Sequence, residues 1–256
     1  MLSGLSAAAR LAGAGWRLAR ADALLPRELR ALYPPGLERL SRLAGLLAGP
    51  AARRGRPGER LARCLEGMGP VAIKLGQLLS TRADIFGVEF AQDLARLKDR
   101  LDPFPADVAR REIAASLGRP VEALFSEFGP PVAAASLAQA HEARLADGRR
   151  VAVKVLRPGI ERQVEADAWV MGLAAGLAER FAPDAKRLEP RTLSASVIES
   201  VRRELDLRLE AAGADELRAI MALDGYMSAP AVVWEGVGRR VLTLEWARGT
   251  PLSDAA

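Results

Sequence analysis

The stretch PVAAASLAQAHEARLADGRRVAVKVLRP, residues 131–158, decides the fold of the second half of the chain. Apolar residues alternate in it with polar or small residues, which is typical of strands. Asp147-Gly148, between two such runs, is a strong signal for a hairpin turn. In VAVKVL (151–156) the valines point to one face and Lys154 points to the other. The stretch therefore predicts three antiparallel strands, joined by a tight alanine-rich turn and by a hairpin.

Helical periodicity dominates the rest of the sequence. Amphipathic helices are predicted over 2–48, broken at Pro26 and at Pro34–Gly36, and 49–59 has the Gly and Pro content of a linker. The other predicted elements are helices at 60–100, between Pro105 and Gly118, in PVEALFSEF (120–128), at 160–179 and at 193–223, and a second hairpin in AVVWEGVGRRVLTLEWARG (231–249). The predicted fold class is α+β, with a basic helical arm and linker at 1–59, a helical extension at 60–128 and a mixed lobe at 129–256.

Composition and charge restrict the class of protein. The 256 residues include one cysteine, Cys64, and one histidine, His141, so an intramolecular disulfide and a multi-histidine metal cluster are excluded. The net charge of +5 is uneven, because residues 1–63 hold twelve arginines against four acidic residues. Such a basic, leucine-rich arm indicates contact with an anionic membrane surface, and a solvated helical face is the alternative. Nucleic acid is not expected as a partner, since the arm has few aromatic residues for stacking.

Lysine is the informative residue of this arginine-rich chain. It occurs only as Lys74, Lys98, Lys154 and Lys186, against 33 arginines. Lys74 and Lys154 lie within apolar segments, where an unpaired charge would be costly, so each should have an acidic residue nearby. A lysine ammonium is a compact point charge that suits a phosphate or a buried carboxylate. Lys98 and Lys186 are assigned no role beyond surface charge.

Acidic partners are available in RRELDLRLEAAGADEL (202–217), which is predicted to lie within one long helix. At about 100° per residue, Asp206 and Glu210 share nearly one face of that helix, whereas Glu204 and Glu210 are about 120° apart and could serve two different lysines. The alternative is a solvated acidic face interleaved with arginines, which would contribute little to stability.

The order of these elements is that of a protein-kinase N-lobe. In that lobe a third-strand lysine holds the α- and β-phosphates of ATP and is itself held by a helix glutamate, and Lys154 and Glu210 fit these roles. The Gly-rich loop is missing, and its place is taken by Ala133, Ala134, Ala135 and Ser136. Alanine tolerates positive φ poorly and carries a methyl group, so a loop of this kind should bind nucleotide in an altered way.

Four motifs make the chain similar, over nearly its whole length, to the UbiB family of atypical kinase-like proteins. KLGQLLSTRADI (74–85) matches the family's KxGQ element, and AAASLAQAHEARLADGRRVAVKVLRPGI (133–160) matches its Ala-rich loop and nucleotide lysine. ELDLRLEAAGADEL (204–217) matches its ExD element with the following glutamate, and LTLEWARGTPLSDAA (242–256) matches its interlobe hinge. Each motif alone is weak, but four motifs in the right order and spacing are specific.

This resemblance implies roles for individual residues. Lys154 would contact the nucleotide phosphates and pair with Glu210. Backbone hydrogen bonds to adenine would come from a hinge formed by Leu244, Glu245, Trp246 and Ala247. The cofactor implied is ATP or ADP with Mg²⁺. In the family the catalytic loop and the metal-binding residues lie beyond the hinge, so we expect the metal ligands to lie beyond this chain and its C-lobe to be absent.

The KxGQ element has its own implied partners. Lys74 and Gln77 would fold over the active site and meet Glu204 and Asp206. Family members are thought to act as ATPases or unorthodox kinases on small or lipid-linked targets in ubiquinone biosynthesis. For this chain the resemblance implies an adenine nucleotide and ubiquinone-pathway lipids or proteins as partners, and a cytoplasmic location peripheral to the inner membrane. The alternative is a non-catalytic membrane-associated scaffold or lipid-binding regulator of the same pathway.

Three further residues receive structural interpretations. His141 is expected on the second strand at the lobe surface, without a catalytic role. Cys64 is interpreted as a small buried residue in a helix. Ser80 begins a segment, residues 80–84, that is expected to cap or end the KxGQ helix.

Overall fold

A computed structural model describes residues 2–23, 25–28, 35–97, 102–181, 189–225, 227–247 and 249 of the chain. The chain divides into two compact units. The first comprises residues 1–99 and 161–202, and the second comprises residues 100–160 and 203–256. The predicted boundaries near residues 59 and 128 stay predictions. Lys98 and Lys186 lie outside the described residues.

Most elements are helices, and three successive strands are separated by helices from a fourth strand. In chain order they are α1 (Leu2–Arg20), α2 (Pro35–Leu46), α3 (Pro57–Glu66), α4 (Pro70–Ser80), α5 (Ala83–Phe86), α6 (Val88–Ala95), α7 (Ala106–Leu117), β1 (Phe125–Ala134), β2 (Ala138–Leu145), β3 (Arg150–Leu156), α8 (Ile160–Phe181), α9 (Pro190–Glu204), α10 (Leu207–Asp224) and β4 (Val241–Glu245). In the described part of the chain, no helix combines the length and the apolar character that crossing a membrane requires.

Helix α4, in the first unit, carries Lys74 and Gln77. Pro70 opens it at the position where a missing N–H costs nothing. It ends as expected from the sequence, because the Ser80 hydroxyl donates to the Gln77 carbonyl at 2.6 Å and Thr81 donates to Leu78 at 2.7 Å. The helix packs against α3 and α6 around a buried cluster of Ala62, Leu65, Ala72, Leu94 and Leu97.

The second unit contains a four-stranded antiparallel sheet in the order β1-β2-β3-β4. Val151, Val153 and Val155 are fully buried and pack in one cluster with Ile113 of α7. Lys154 lies on the opposite face, so the predicted alternation is confirmed. The predicted helix between Pro105 and Gly118 is also confirmed as α7, and Gly118 ends it in the left-handed conformation.

Strand β1 is longer than the sequence predicted. PVEALFSEF was expected to be helical, but only residues 121–123 form a 3₁₀ turn, and the strand already begins at Phe125. Phe125 is buried in the core of the sheet, and this packing outweighs a local preference for helix. The register between β1 and β2 shifts around Gly129 and Pro130, so the additional strand length is irregular.

The predicted second hairpin is only partly correct. Its second arm is β4, but the residues before β4 form isolated bridges, Val232 to Leu244 and Gly238 to Val241, and a 3₁₀ turn at Trp234–Gly236. A side chain at Gly236 would overlap the buried Thr243, whose hydroxyl donates to the Gly236 carbonyl at 2.9 Å.

The long helix predicted over 193–223 is wrong in its middle. It is two helices, and Asp206 between them has extended backbone angles and acts as the N-cap of α10. Its carboxylate accepts a hydrogen bond from the backbone N–H of Arg208 at 3.2 Å. In a continuous helix this N–H would bond to a backbone carbonyl one turn earlier, so the cap replaces that bond. Leu205, just before the cap, is buried, so the chain turns inward at this point. Asp206 and Glu210 therefore do not share one face of a continuous helix.

The expected position of His141 at the surface is also wrong. The side chain is completely buried and stacks on Phe128, with ring centroids 4.5 Å apart. Its Nδ1 lies 2.9 Å from the Gly129 carbonyl and its Nε2 lies 2.8 Å from the Gln139 amide nitrogen. Gln139 donates that amide to the Phe104 carbonyl as well, so its nitrogen is the donor and Nε2 of His141 is the acceptor. The ring is therefore a neutral imidazole with its proton on Nδ1.

Candidate functional site

Lys154 and Glu210 form the centre of the candidate site. The Lys154 ammonium donates to both carboxylate oxygens of Glu210, at 2.9 and 2.7 Å. The two side chains remain 40% and 44% exposed, so the pair is open to solvent and to a ligand. The pairing of these two residues that the sequence predicts is therefore present in the structure.

The first turn of α10 fixes the position of Glu210. Leu207 and Ala211 are buried and hold this turn on the lobe. The Leu207 N–H donates to the Arg239 carbonyl at 2.9 Å, which ties the helix start to the loop before β4. Together with the Asp206 cap, these contacts aim the side chain of Glu210, one turn later, at β3.

Small and apolar residues flank Lys154 on its face of the sheet. Its cross-strand partners are Ala140 on β2 and Leu242 on β4, and Ala140 is in turn paired with Ala133 on β1. Ala133 is exposed and Ala140 is half-buried, so a flat group can approach this part of the row, whereas Leu242 is buried. A single cation in a row of small apolar side chains is chemically suited to a ligand with an apolar ring and an anionic group.

The alanine-rich loop connects β1 to β2 as a tight turn. Ala134 pairs with Gln139, and the Ala135 N–H donates to the Ala138 carbonyl at 2.7 Å. Among the described residues other than glycine, only Asp22 and Glu189 have positive φ. The loop therefore closes in conformations that alanine tolerates, without the backbone freedom that glycine provides. Ser136 at its tip is 6% exposed.

Strand β4 leads into the predicted hinge, whose backbone donors are partly used. The Glu245 N–H donates to Ala231 at 2.9 Å, and the Trp246 N–H donates to Arg150 at 3.0 Å. The Arg150 guanidinium also lies 4.0 Å from the Trp246 ring centroid, a cation–π contact that holds the indole on the lobe. Two N–H groups of the predicted hinge are therefore already bonded within the lobe.

The remaining predicted site residues are divided between the two units. Lys74 and Gln77 are half-buried on α4 in the first unit, whereas Glu204 and Asp206 belong to the second. Asp206 pairs with Arg208 at 2.6 Å, and this hydrogen-bonded guanidinium holds the pKa of the carboxyl below its usual value. The predicted meeting of these four residues stays a prediction.

Arg157, which was not among the residues predicted for the site, lies beside the alanine-rich loop. Its guanidinium donates to the Ala135 carbonyl at 2.8 Å and to the Asp102 carbonyl at 2.9 Å. A signal was present, because Arg157 continues the alternation of the buried valines and so places a charge on the core side of the sheet. Within the described residues, no cluster of three or more His, Cys, Asp or Glu side chains could hold a metal ion.

An antiparallel sheet whose third strand carries a lysine paired with a glutamate on a following helix is the N-lobe of a kinase-like protein. The sequence profile of the ABC1 atypical kinase-like domain matches residues 96–256. The chain belongs to the ABC1 atypical kinase-like family.

Curated relatives extend this similarity into the first unit. The chain is 44% identical over 198 residues to the "Probable protein kinase UbiB" of Marinobacter nauticus, an alignment that covers 77% of this chain and 36% of the relative. Proteins of the same name from Xylella fastidiosa (40% over 200 residues) and Xanthomonas euvesicatoria (42% over 205 residues) each match 78% of this chain. The chain thus spans about a third of the length of these relatives, 36% and 37%.

A solved structure is similar as well. It is the complex of Rv3197 with erythromycin from Mycobacterium tuberculosis, at 31% identity and a TM-score of 0.45, over 71% of this chain and 44% of that chain.

Proposed function

We propose that this chain binds an adenine nucleotide in its lobe, as the nucleotide-binding part of an atypical kinase or ATPase that supports ubiquinone biosynthesis. The observation that carries the proposal is the ion pair between Lys154 and Glu210, which lies open to solvent on a face of small residues. The nucleotide lysine of kinases is held in this way by a helix glutamate.

In this proposal Lys154 binds the α- and β-phosphates, and Glu210 keeps the ammonium in place. A phosphate oxygen can join the ammonium without displacing Glu210, because the ammonium has three donors and its contacts to Glu210 are made to one carboxylate. Adenine would lie beside Lys154 and Ala140, which are half-buried on this face, whereas Leu242 is buried. The hinge would contribute the Glu245 carbonyl as acceptor and the Ala247 N–H as donor.

The alanine-rich loop, Ala133 to Ser136, would cover the phosphates. Because it closes without positive φ, it is stiffer than a glycine loop and has a methyl group at each alanine. We expect this to limit how closely the backbone approaches the phosphates, so the loop would favour some nucleotides or phosphate conformations over others.

Four further residues enter the proposal through the resemblance described above. Lys74 and Gln77 from the KxGQ element would act in the same site as Glu204 and Asp206, and we propose that they take part in the reaction. The nucleotide would be bound with Mg²⁺, which would neutralise phosphate charge, but we assign no described residue of this chain as a metal ligand.

Nucleotide binding can be tested directly on this chain. We would titrate it with the fluorescent analogue mant-ADP, with and without Mg²⁺, and compare Lys154→Ala with Arg111→Gln, which removes an exposed charge from α7. Saturable binding is expected for the parent and for Arg111→Gln, with a loss of at least tenfold in affinity for Lys154→Ala, since a charge-assisted contact is broken. No saturable binding by the parent chain would contradict the proposal.

A second candidate function is that of a membrane-associated scaffold or lipid-binding regulator. The observation that favours it is an exposed apolar and basic surface on α1 and α2. Leu43 and Leu46 of α2 are 63% and 81% exposed, and Trp16 of α1 is 51% exposed, with the guanidinium of Arg20 5.5 Å from its ring centroid. Aromatic, leucine and arginine side chains together suit an anionic lipid surface.

Flotation with vesicles separates this candidate from the first. The chain should float with vesicles containing an anionic phospholipid and stay behind with phosphatidylcholine alone, and Leu46→Asp should reduce flotation. Flotation together with no nucleotide binding would favour the scaffold, and equal recovery with both vesicle types would exclude recognition of anionic lipid.

A further inference from the structure

Arg157 is the first residue after β3, and it bonds to the alanine-rich loop through both its backbone and its side chain. Its N–H donates to the Leu137 carbonyl at 2.8 Å, and its Nε donates to the Ala135 carbonyl at 2.8 Å. Two carbonyls of the turn between β1 and β2 are therefore directed toward one arginine.

The same guanidinium holds the segment that precedes α7. It donates to the Asp102 carbonyl at 2.9 Å and lies 5.7 Å from the ring centroid of Phe104. Phe104 is itself fixed to β2, since its N–H donates to Gln139 at 2.9 Å and its carbonyl accepts from Gln139 at 3.1 Å. Gln139 is 1% exposed, so this anchor is buried.

The backbone of Arg157 is also held in place by a hydrogen bond. Its carbonyl accepts a hydrogen bond from Arg240 at 2.9 Å, and Arg240 pairs with Glu112 of α7 at 2.9 Å. Glu112 and Arg240 are 24% and 20% exposed, so water screens this pair less than it screens most surface pairs. The guanidinium therefore reaches the loop from a well-supported position.

This arrangement sets the direction of the loop's peptide dipoles. A carbonyl oxygen directed at a phosphate would repel it. Holding the Ala135 and Leu137 carbonyls on Arg157 therefore keeps both oxygens from turning toward an anion bound by the loop.

We infer that Arg157 is a positioning residue for the phosphate groups of the nucleotide: it orients the alanine-rich loop without contacting the ligand itself. The inference rests on the proposed function. It explains how a loop without glycine can be suited to phosphate, because a fixed guanidinium takes over the orientation that backbone freedom supplies in a glycine loop.

The test compares Arg157→Gln and Arg157→Lys with the parent and with Arg111→Gln, which removes the same charge from the same lobe. Three quantities are measured: the affinity for mant-ADP, the melting temperature without nucleotide, and the amide hydrogen exchange of residues 133–138 without nucleotide. For Arg157→Gln we expect about tenfold weaker binding, the loss of one charge-assisted hydrogen bond, together with faster exchange in the loop. Arg157→Lys, which keeps the charge and can reach one carbonyl, should lie between Arg157→Gln and the parent in both respects.

The outcomes separate this inference from the proposed function. If the parent binds mant-ADP and Arg157→Gln binds it equally well, the inference is overturned and the proposed function stands. If the parent does not bind, both are overturned, whatever the exchange data show. If affinity falls only in proportion to a lower melting temperature, and loop exchange is unchanged, Arg157 is a stability residue and the inference is overturned.

Discussion

Arg60 in the first unit and Lys154 in the second are both paired with carboxylates, but their surroundings differ. Arg60 is 2% exposed, and its guanidinium lies 2.8 Å from Glu28 and 3.5 Å from Asp22. Lys154 is 40% exposed, although its 2.7 Å contact with Glu210 is at least as short. The distances between nitrogen and oxygen therefore do not distinguish the two pairs, but the exposed fractions of Arg60 and Lys154 do.

The difference separates an ion pair that holds a fold from one that is available for binding. Removing one member of a buried pair leaves the other charged and desolvated, which is strongly destabilising. An exposed pair contributes little to stability, because water already solvates both charges. The position of Lys154 on a face of small residues is therefore not explained by stability, and this supports a role in binding.

The largest effect is expected for Arg60→Ala. Among the described residues, its loss leaves the buried Asp22 with Arg27, at 3.3 Å, as its charged partner, so we expect a loss of about 3 kcal/mol in the free energy of unfolding. Urea denaturation measures this. The control, Arg42→Ala, breaks an exposed pair with Glu38 one helical turn away and should cost no more than about 0.5 kcal/mol. Equal losses in the two variants would show that burial does not separate these ion pairs.

Asp167 provides a pH test in the first unit. It is buried on α8, paired with Arg10 of α1 and in contact with Gly69 before α4, and burial raises the pKa of its carboxyl from 3.8 to about 6. Between about pH 6 and 3.8 the native state binds more protons than the unfolded state, so acidification through this window favours folding. The full contribution is on the order of 3 kcal/mol.

Asp167→Asn removes this titration while keeping the shape of the side chain. The difference in free energy of unfolding between the variant and the parent should therefore favour the variant most at pH 7.5 and should shrink toward pH 4.5. Urea unfolding at several pH values measures this difference. Parallel stability curves for variant and parent would contradict the prediction.

The second unit should respond to acid in the opposite direction through His141. Burial lowers the pKa of this imidazole, and protonation of Nε2 would set an N–H against the Gln139 amide. The unfolded chain then binds the extra proton, so stability falls as the pH drops below about 6.5, by at most about 1.4 kcal/mol per pH unit. His141→Gln should show a flatter pH dependence between pH 7.5 and 5.5. An unchanged slope would mean that His141 does not titrate on unfolding.

The sequence was sufficient for features that depend on local periodicity. The alternation of β3 is local, so it placed the valines in the core and Lys154 on the opposite face, and the motif order then selected Glu210 as its partner. The predictions are wrong where a contact distant in the chain decides the structure. Helical periodicity continues through Leu205 and Asp206, and the bond from Leu207 to the Arg239 carbonyl, which helps to fix the break, is not visible in it.

The buried polar residues of the lobe could not be predicted for the same reason. His141 and Gln139 look like ordinary strand residues, and their burial depends on the carbonyl of Gly129 and the backbone of Phe104, both remote in sequence. Arg157 was detectable as a charge at a core-facing position, but its acceptors became known only from the fold. A role that depends on the type of side chain, such as that of Lys154, could be predicted from the sequence. Contacts with backbone carbonyls, such as those of Arg157 and His141, could not.

Two helix glycines, one in each unit, differ in the space around them, and this comparison involves smaller changes in stability. A methyl group at Gly76 of α4 would overlap the side chain of Leu97, whereas nothing lies within 4 Å of that position at Gly213 of α10. Gly76→Ala should lower the free energy of unfolding by roughly 1 kcal/mol, since overpacking exceeds the gain in helix propensity. Gly213→Ala should raise it by about 0.5 to 1 kcal/mol. Stabilisation by both substitutions in urea unfolding would mean that α4 is not tightly packed.

A small change in stability is also expected for Glu210→Gln, which breaks the exposed pair but leaves the Lys154 ammonium solvated. The free energy of unfolding should change by less than about 1 kcal/mol, whereas affinity for mant-ADP should fall about tenfold, because the ammonium loses the charged partner that orients it. The matched control is Glu165→Gln in the first unit, where Glu165 and Arg202 are 56% and 47% exposed and 2.7 Å apart. It should match the small change in stability and leave nucleotide affinity unaltered. If both variants bound mant-ADP as tightly as the parent, the pair of Lys154 and Glu210 would have no more role in nucleotide binding than the pair of Glu165 and Arg202. Exposure would then not separate structural ion pairs from binding ion pairs.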